Sequence, residues 1–272
     1  VTPPRSAARH APGAALLAVP LLLALLGPLA AGPAGPRAVS FDPGAGPLGS
    51  DFAGRDVWHQ LLLGGRSVVL VALAATALAY LLAVPLGLSA ALTRRAWLEE
   101  ALMRPLDVLL AVPSLLLVLL AAATLAPGPA GLTVLVGAVT VPDAARVVHA
   151  AATEIAARPA VEALRMQGES WARTALGHVA RSMRRTLAAD AGIRLTGALY
   201  LVATAAFLGV GVAPDAADWA VMVDRNRTGL LLQPWAVVLP ALLVAALSLG
   251  ANLLLDAALR APHRAPDRKG RP

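Results

Sequence analysis

Long apolar runs separated by short polar breaks organise this chain. Ala14 to Ala31, Ser67 to Leu92, Pro105 to Ala126, Ala130 to about His149, Leu195 to Val212 and Trp235 to Leu255 each approach the length of a bilayer crossing, which takes roughly 20 predominantly apolar residues. Read as helices, they predict an all-α membrane protein with six transmembrane spans. Between the fourth and fifth runs lies a polar island of 27 residues, Val161 to Leu187, rich in Arg and containing Glu162, Glu169 and Trp171. Each charge left in hydrocarbon would cost about 3 kcal/mol or more, so the island must sit outside the membrane. Gly168 in its middle permits a turn between two short helices, and the expected form is a helical hairpin.

The other breaks are less regular. Gly32 to Arg66 reads as a Gly/Pro-rich loop, 93–104 as a short amphipathic connector, Pro127-Gly128-Pro129 as a tight turn, and 213–234 as a second loop holding Asp215, Asp218 and Asp224. The fourth span reaches sufficient length only by continuing through Pro142, Asp143 and Arg146. Asp143 is spaced to pair with Arg146 at i+3 near a membrane boundary, and Asp107 lies near another. Pro85, Pro113, Pro142 and Pro240 fall inside spans, where they free carbonyls and kink helices. The first run, with its basic front and small-residue end, also suits a signal peptide; we read it as the first span. The domain plan is a tail over 1–13, a membrane domain over 14–260 with core 67–260 and a polar loop over 150–191, and a disordered basic tail over 261–272.

Composition agrees. Of 272 residues, 58% are hydrophobic and 14% charged, against roughly 25% charged in soluble domains. The net charge of +7 would imply nucleic acid in a soluble protein, but its placement speaks instead for topology. Arg and Lys number two before the first span, three in 93–104, eight from Arg146 to Arg194 and five in the tail, 18 on one side against 5 on the other. That bias places the island and both termini in the cytoplasm, with membrane lipid rather than nucleic acid as the surrounding partner. There is no Cys, which excludes disulfides and thiolate chemistry. The single Lys, Lys269, lies in the tail, so a G-x-x-x-x-G-K-[ST] phosphate loop is excluded. The five His residues show no helical spacing to one another, and no metal site is expected.

Four stretches carry more specific information. Val161-Glu162-Ala163-Leu164-Arg165-Met166-Gln167-Gly168 resembles the E-A-A-x-x-x-G loop of ABC-importer permeases. Alone it also suits a surface helix lying along the membrane interface. Residues 47–70, PLGSDFAGRDVWHQLLLGGRSVVL, resemble the H-P-L-G-T-D-x-x-G-R-D-V segment of the dipeptide/oligopeptide/nickel subgroup. Gly49, Asp51, Gly54, Arg55, Asp56, Gly65, Arg66 and Ser67 match in register, while Gly46 and Ser50 replace the leading His and the Thr. Residues 207–222 resemble F-L-G-L-G-V-x-P-x-x-x-x-W-G-x-M at Phe207, Leu208, Gly209, Gly211, Pro214, Trp219 and Met222, with Ala220 for Gly. The closing stretch resembles P-W…P…N-L-L-G-D-x-L-R at Pro234, Trp235, Pro240, Asn252, Asp256 and Arg260. The last three fall on one helical face and are read as structural.

The resemblance spans about residues 14–260. It implies a type I ABC-importer permease fold in a bacterial inner membrane, forming half of a translocation pathway for peptides, nickel or metal chelates. It implies four kinds of partner: a second homologous permease, two ATPase subunits carrying ATP and Mg, an extracytoplasmic substrate-binding protein, and lipid. It assigns ATPase coupling to Glu162, Ala163, Leu164, Met166, Gly168 and Trp171, and no bond chemistry or cofactor to this chain. Two departures stand out: Leu164 replaces the second Ala, and no Pro follows His178, so the second coupling helix is expected to run further than usual. An ion-gradient-driven transporter or channel would instead need mid-span carboxylates and an inverted repeat. A membrane enzyme would need convergent catalytic groups at one depth. Neither pattern is found.

Overall fold

The computed structural model describes residues 5–125, 127–213 and 215–259, with side chains from Gly13 to Leu254. Among these the regular elements are all helices, apart from one isolated bridge between Ser50 and Asp56. In order come α1 (Arg5–Ala30), α2 (Val57–Leu92), α3 (Ala96–Leu110), α4 (Ser114–Leu125), α5 (Pro129–Ala156), α6 (Pro159–Met166), a π-helical segment (Arg173–Ala180), α7 (Arg184–Phe207), α8 (Trp219–Asn226), a 3₁₀ turn (Arg227–Gly229) and α9 (Trp235–Leu259).

Helices α2 and α5 form the central pair. α1 and α9 lie against each other at one side, and α7 packs on α2, α5 and α9. Without a hydrophobic drive between helices in lipid, close approach of small residues supplies the packing. A Cβ on Gly87 of α2 would stand 2.6 Å from Val148 Cγ1 of α5, and one on Gly250 of α9 would stand 2.5 Å from the backbone N of Leu17 on α1. Any larger residue at either point would push its helix pair apart.

Among the described residues four helices are long and apolar enough to cross a membrane: Gly13–Ala30, Val57–Leu92, Pro129–Ala156 and Trp235–Leu254. The third predicted span is not one straight helix. Pro113 sits in a break between α3 and α4, which are bent by 84°, and the pair counts as a fifth crossing only if taken together. The connector over 93–104 is correspondingly absorbed into α3 from Ala96. α2 begins ten residues before the predicted Ser67, because Asp56 caps it, its carboxylate accepting from the N–H of Trp58 and His59. At 36 residues it rises about 54 Å, well beyond a hydrocarbon core of roughly 30 Å, so part of it stands outside the hydrocarbon. α7 begins at Arg184 rather than Leu195, taking the end of the polar island into the helix, and stops at Phe207 rather than Val212. The loop over 213–234 holds α8 and the 3₁₀ turn. The tail over 261–272 lies outside the described residues.

Charges within the bundle are paired between helices. Asp143 does not pair with Arg146 as the spacing predicts. Arg146 reaches Asp107 on α3, and Asp143 meets Arg194 of α7 at 3.2 Å. Arg194 also binds Asp190 at 3.2 Å, and Asp190 accepts a 2.5 Å hydrogen bond from Tyr80 of α2. At i+3 the two side chains point to neighbouring helices, so tertiary partners win. This network ties α2, α5 and α7 together. Arg194→Gln would leave the buried Asp190 without its cation and is expected to cost about 2–3 kcal/mol. The double change with Asp190→Asn should recover most of that loss in a thermal melt of the detergent-solubilised protein.

Candidate coupling hairpin and outer clamp

The polar island is a helical hairpin rooted in the bundle. Arg158 and Pro159 start α6, Pro at the first helical position being preorganised for the turn. Glu162 lies in the first turn, where a carboxylate complements the helix dipole, and Arg165 in the last. Gly168 closes α6 at φ +77°, a left-handed conformation that L side chains rarely adopt. The N–H of Glu169 then returns to the carbonyl of Leu164 at 3.1 Å. The second arm is helical from Trp171 to Ser182, with π-helical geometry over Arg173–Ala180, and runs into α7 after the single turn residue Met183.

One face of this hairpin is core. Val161, Ala175, Val179 and Met183 are buried against Leu88 and Leu92 of α2 and Val148, Ala152 and Ile155 of α5. The other face is bare: Met166 is 78% exposed, Leu176 59% and Trp171 50%. Of the residues expected to couple, Glu162, Met166, Gly168 and Trp171 are exposed, while Ala163 and Leu164 are half-buried. Leu176 and the buried root were missed. Its second arm has a helical signature, because Ala175, Val179 and Met183 recur at i, i+4 spacing.

The stretches 47–70 and 207–222 meet in a clamp at the opposite end of α2. Asp51 is 1% exposed and organises its loop, accepting 2.8 Å hydrogen bonds from the N–H of Ala53 and Arg55 and from Arg55 Nε. Arg55 then donates to the Asp215 carbonyl at 2.7 Å. Gly49, at φ +74°, lets Gln233 lie directly on it, and Gln233 donates to the Leu48 carbonyl at 2.9 Å. Phe52 N–H donates to Asn226 Oδ1 at 2.9 Å. Trp219, fully buried, packs against Gly65, its indole N–H donating to the Leu61 carbonyl at 2.9 Å. Ser67 donates to Asp218, which caps α8.

Thus Gly49, Asp51, Gly54, Arg55, Asp56 and Gly65 serve the clamp. Arg66 is exposed on α2 and stands apart from it. Asp218, Asn226 and Gln233 were not singled out from the sequence. Only Asp218 had a readable signal, an acidic residue directly before a helix. Asn252 is exposed on α9, the side chain of Asp256 is not described, and Arg260 and Pro214 lie outside the described residues. The structural role expected of Asn252, Asp256 and Arg260 together therefore falls outside the described side chains.

Burial pushes the Asp218 carboxyl above the ordinary carboxylate range, against the hydrogen bonds from Ser67, Val221 and Ala220, which favour the ionised form. The folded state holds this proton more firmly than the unfolded one. The resulting stability is full below about pH 4 and is lost as pH rises through the raised folded value. Asp218→Asn, which keeps the cap, should flatten that slope in melts taken across pH 4–8.

With this geometry in place, comparison with known proteins decides the family. Residues 83–262 match the binding-protein-dependent transport system inner membrane component family. The chain belongs to that family. The matched region holds the hairpin, α5, α7 and α9, while the outer motif before residue 83 lies upstream of it. The permease is similar to the di/tripeptide transport system permease protein DppC of Pseudomonas aeruginosa, 31% identical over 210 residues, 77% of this chain and 69% of that one. It is also similar to the probable D,D-dipeptide transport system permease protein DdpC of Escherichia coli, 29% identical with 77% and 70% covered. A glutathione transport system permease protein of Pectobacterium atrosepticum is 26% identical over 209 residues, covering 77% and 69%. The permease is a multi-pass component of an ABC importer.

Proposed function

We propose that this permease forms half of an ATP-driven import pathway for peptides, and that the hairpin over 159–182 is its coupling element. The observation carrying the proposal is the two-sided hairpin: a buried root on α2 and α5 beneath an exposed apolar face of Met166, Trp171 and Leu176. A surface helix lying on lipid needs no such root. A lever that receives force from a docked subunit and passes it to the bundle does. The second arm continues into α7, which the Arg194 network joins to α2 and α5, so displacement of the hairpin moves three helices together. ATP binding in two separate ATPase subunits would close them, turn the hairpins and open the pathway outward.

In this reading six spans cross the membrane, with the bent α3–α4 pair as the third and α7 as the fifth, and both termini and the hairpin are cytoplasmic. The paired charges of Asp190 and Arg194 let α7 enter the bilayer. The second permease and the pathway lie along the apolar groove of α7, α8 and α9, where Tyr200, Phe207 and Val244 line a cavity of about 330 Å³. The outer clamp offers a rigid surface to the substrate-binding protein. Peptides are favoured as cargo because the relatives' names specify peptides, dipeptides and glutathione.

The topology is testable because the chain has no Cys. Gly35→Cys and Thr228→Cys should react with a membrane-impermeant thiol reagent in spheroplasts, and Gln167→Cys only after permeabilisation. Labelling of Gln167→Cys in intact spheroplasts would overturn the assignment of sides.

A further inference from the structure

A cleft of about 300 Å³ opens at the foot of the hairpin, lined by Leu92, Arg94, Arg165, Glu169, Trp171 and Thr174. Arg94 and Arg165 also face an adjoining hollow beside Glu162 and Met166. Neither guanidinium has an ion-pair partner among the described residues. Glu169 is already held by Arg173 at 2.9 Å. With Glu162 exposed at the rim, the pair of arginines leaves the cleft net positive.

The base of the cleft carries a second and independent sign of a ligand. Thr174 is 4% exposed, and its Oγ1 has no hydrogen-bond partner among the described residues. Helical threonines elsewhere in the chain satisfy the same group on the carbonyl four residues back, as Thr76 does at 2.8 Å, Thr140 at 2.7 Å and Thr153 at 2.9 Å. A buried hydroxyl left unpaired is costly. Thr174 lines the cleft beside the two guanidiniums, and a turn of its side chain would let the hydroxyl donate to an incoming anion.

We propose that this cleft receives one carboxylate side chain of the ATPase subunit, bound by Arg94, Arg165 and the Thr174 hydroxyl. The inference rests on the reading of the hairpin as the ATPase-docking element and names the chemistry of its partner. Charge complementarity selects a protein carboxylate. The α2–α3 turn and the hairpin together present Arg94, Arg95, Arg165 and Arg173 against Glu162 and Glu169, and the apolar side chains of Met166 and Trp171 flank the cleft, as protein interfaces require. Seating the carboxylate would lock the α2–α3 turn to the hairpin, so the docked subunit would grip two elements of the bundle rather than one.

The test uses the whole importer, with second permease and ATPases, in lipid nanodiscs. Arg94→Gln and Arg165→Gln should each weaken ATPase association about tenfold, the loss expected for one charge-assisted hydrogen bond. Thr174→Val should leave the melting temperature of the permease unchanged or raised, while weakening association about threefold. Arg165→Glu should be rescued by changing one Asp or Glu on the ATPase docking face to Lys. If these variants bind ATPases as the wild type does while a Met166/Trp171/Leu176 triple variant releases them, the carboxylate site is wrong and the docking reading stands. If the triple variant also retains them, the docking reading itself fails. A loss seen only in nanodiscs containing phosphatidylglycerol, and not in phosphatidylcholine alone, would assign the cleft to a lipid phosphate and overturn the proposal.

Discussion

Replacing Met166, Trp171 and Leu176 together by Ser is expected to release the ATPase subunits while the permease stays folded. All three are at least half exposed, so the substitutions remove no core contact. Buried interface anchors of this kind carry about 2 kcal/mol or more each. Even half that value for the set weakens association more than a hundredfold. Deleting the whole island would be a poorer test, because Val161, Ala175, Val179 and Met183 belong to the core shared with α2 and α5. The converse change makes the same point. Val179→Asp should unfold the hairpin end of the bundle, lowering the melting temperature and removing the ATPases together. The surface triple variant should separate the two effects.

Trp219→Ala is the largest stability change expected outside the membrane. The side chain is fully buried, lies on Gly65 and donates to the Leu61 carbonyl. Removing a large aromatic from such a site costs about 3–5 kcal/mol, since the surrounding backbone relaxes only in part. The damage should spread, because α8 is tied through Asp218 to Ser67 and through Asn226 to the Phe52 loop. Urea melts in detergent micelles should show the loss. Limited proteolysis should cut first within 37–56, the loop the clamp holds. Cleavage confined to the hairpin would argue that the clamp is not the weak point and that α8 docks by other means.

Much of this arrangement is legible in the residues. A run of Arg with Glu162 and Glu169 has to leave hydrocarbon, and Gly168 marks the turn between its arms. The in-register glycines and acids of 47–67 and the Trp219 stretch look like separate motifs in sequence, and the fold makes them one clamp. Apolar content located the long helices but not their ends. A helix that continues into water changes neither period nor propensity at the membrane surface, so the apolar run points to a start at Ser67 although Asp56 caps α2. Likewise, it points to Leu195 as the start of α7 although Arg184 begins it. Pro113 signals a kink but not its size, since nothing local says how far neighbouring helices will let the chain bend, and α3 and α4 meet there at 84°. Asp143 and Arg146 are compatible by spacing, but packing gave each a partner on another helix. The unpaired hydroxyl of Thr174 could not be foreseen, since its environment is made by residues from 92 to 171.

The central claim, that this chain is the membrane half of an importer driven by ATP through its hairpin, is most directly tested by transport itself. The permease, its second permease, the ATPases and the binding protein would be reconstituted in liposomes with labelled di- or tripeptide outside and no ion gradient. Uptake should require ATP in the compartment facing the hairpin, and should fall to background with the Met166/Trp171/Leu176 triple variant although that protein inserts and melts normally. Uptake that proceeds without ATP when a proton or sodium gradient is imposed, and that the triple variant leaves unchanged, would contradict it.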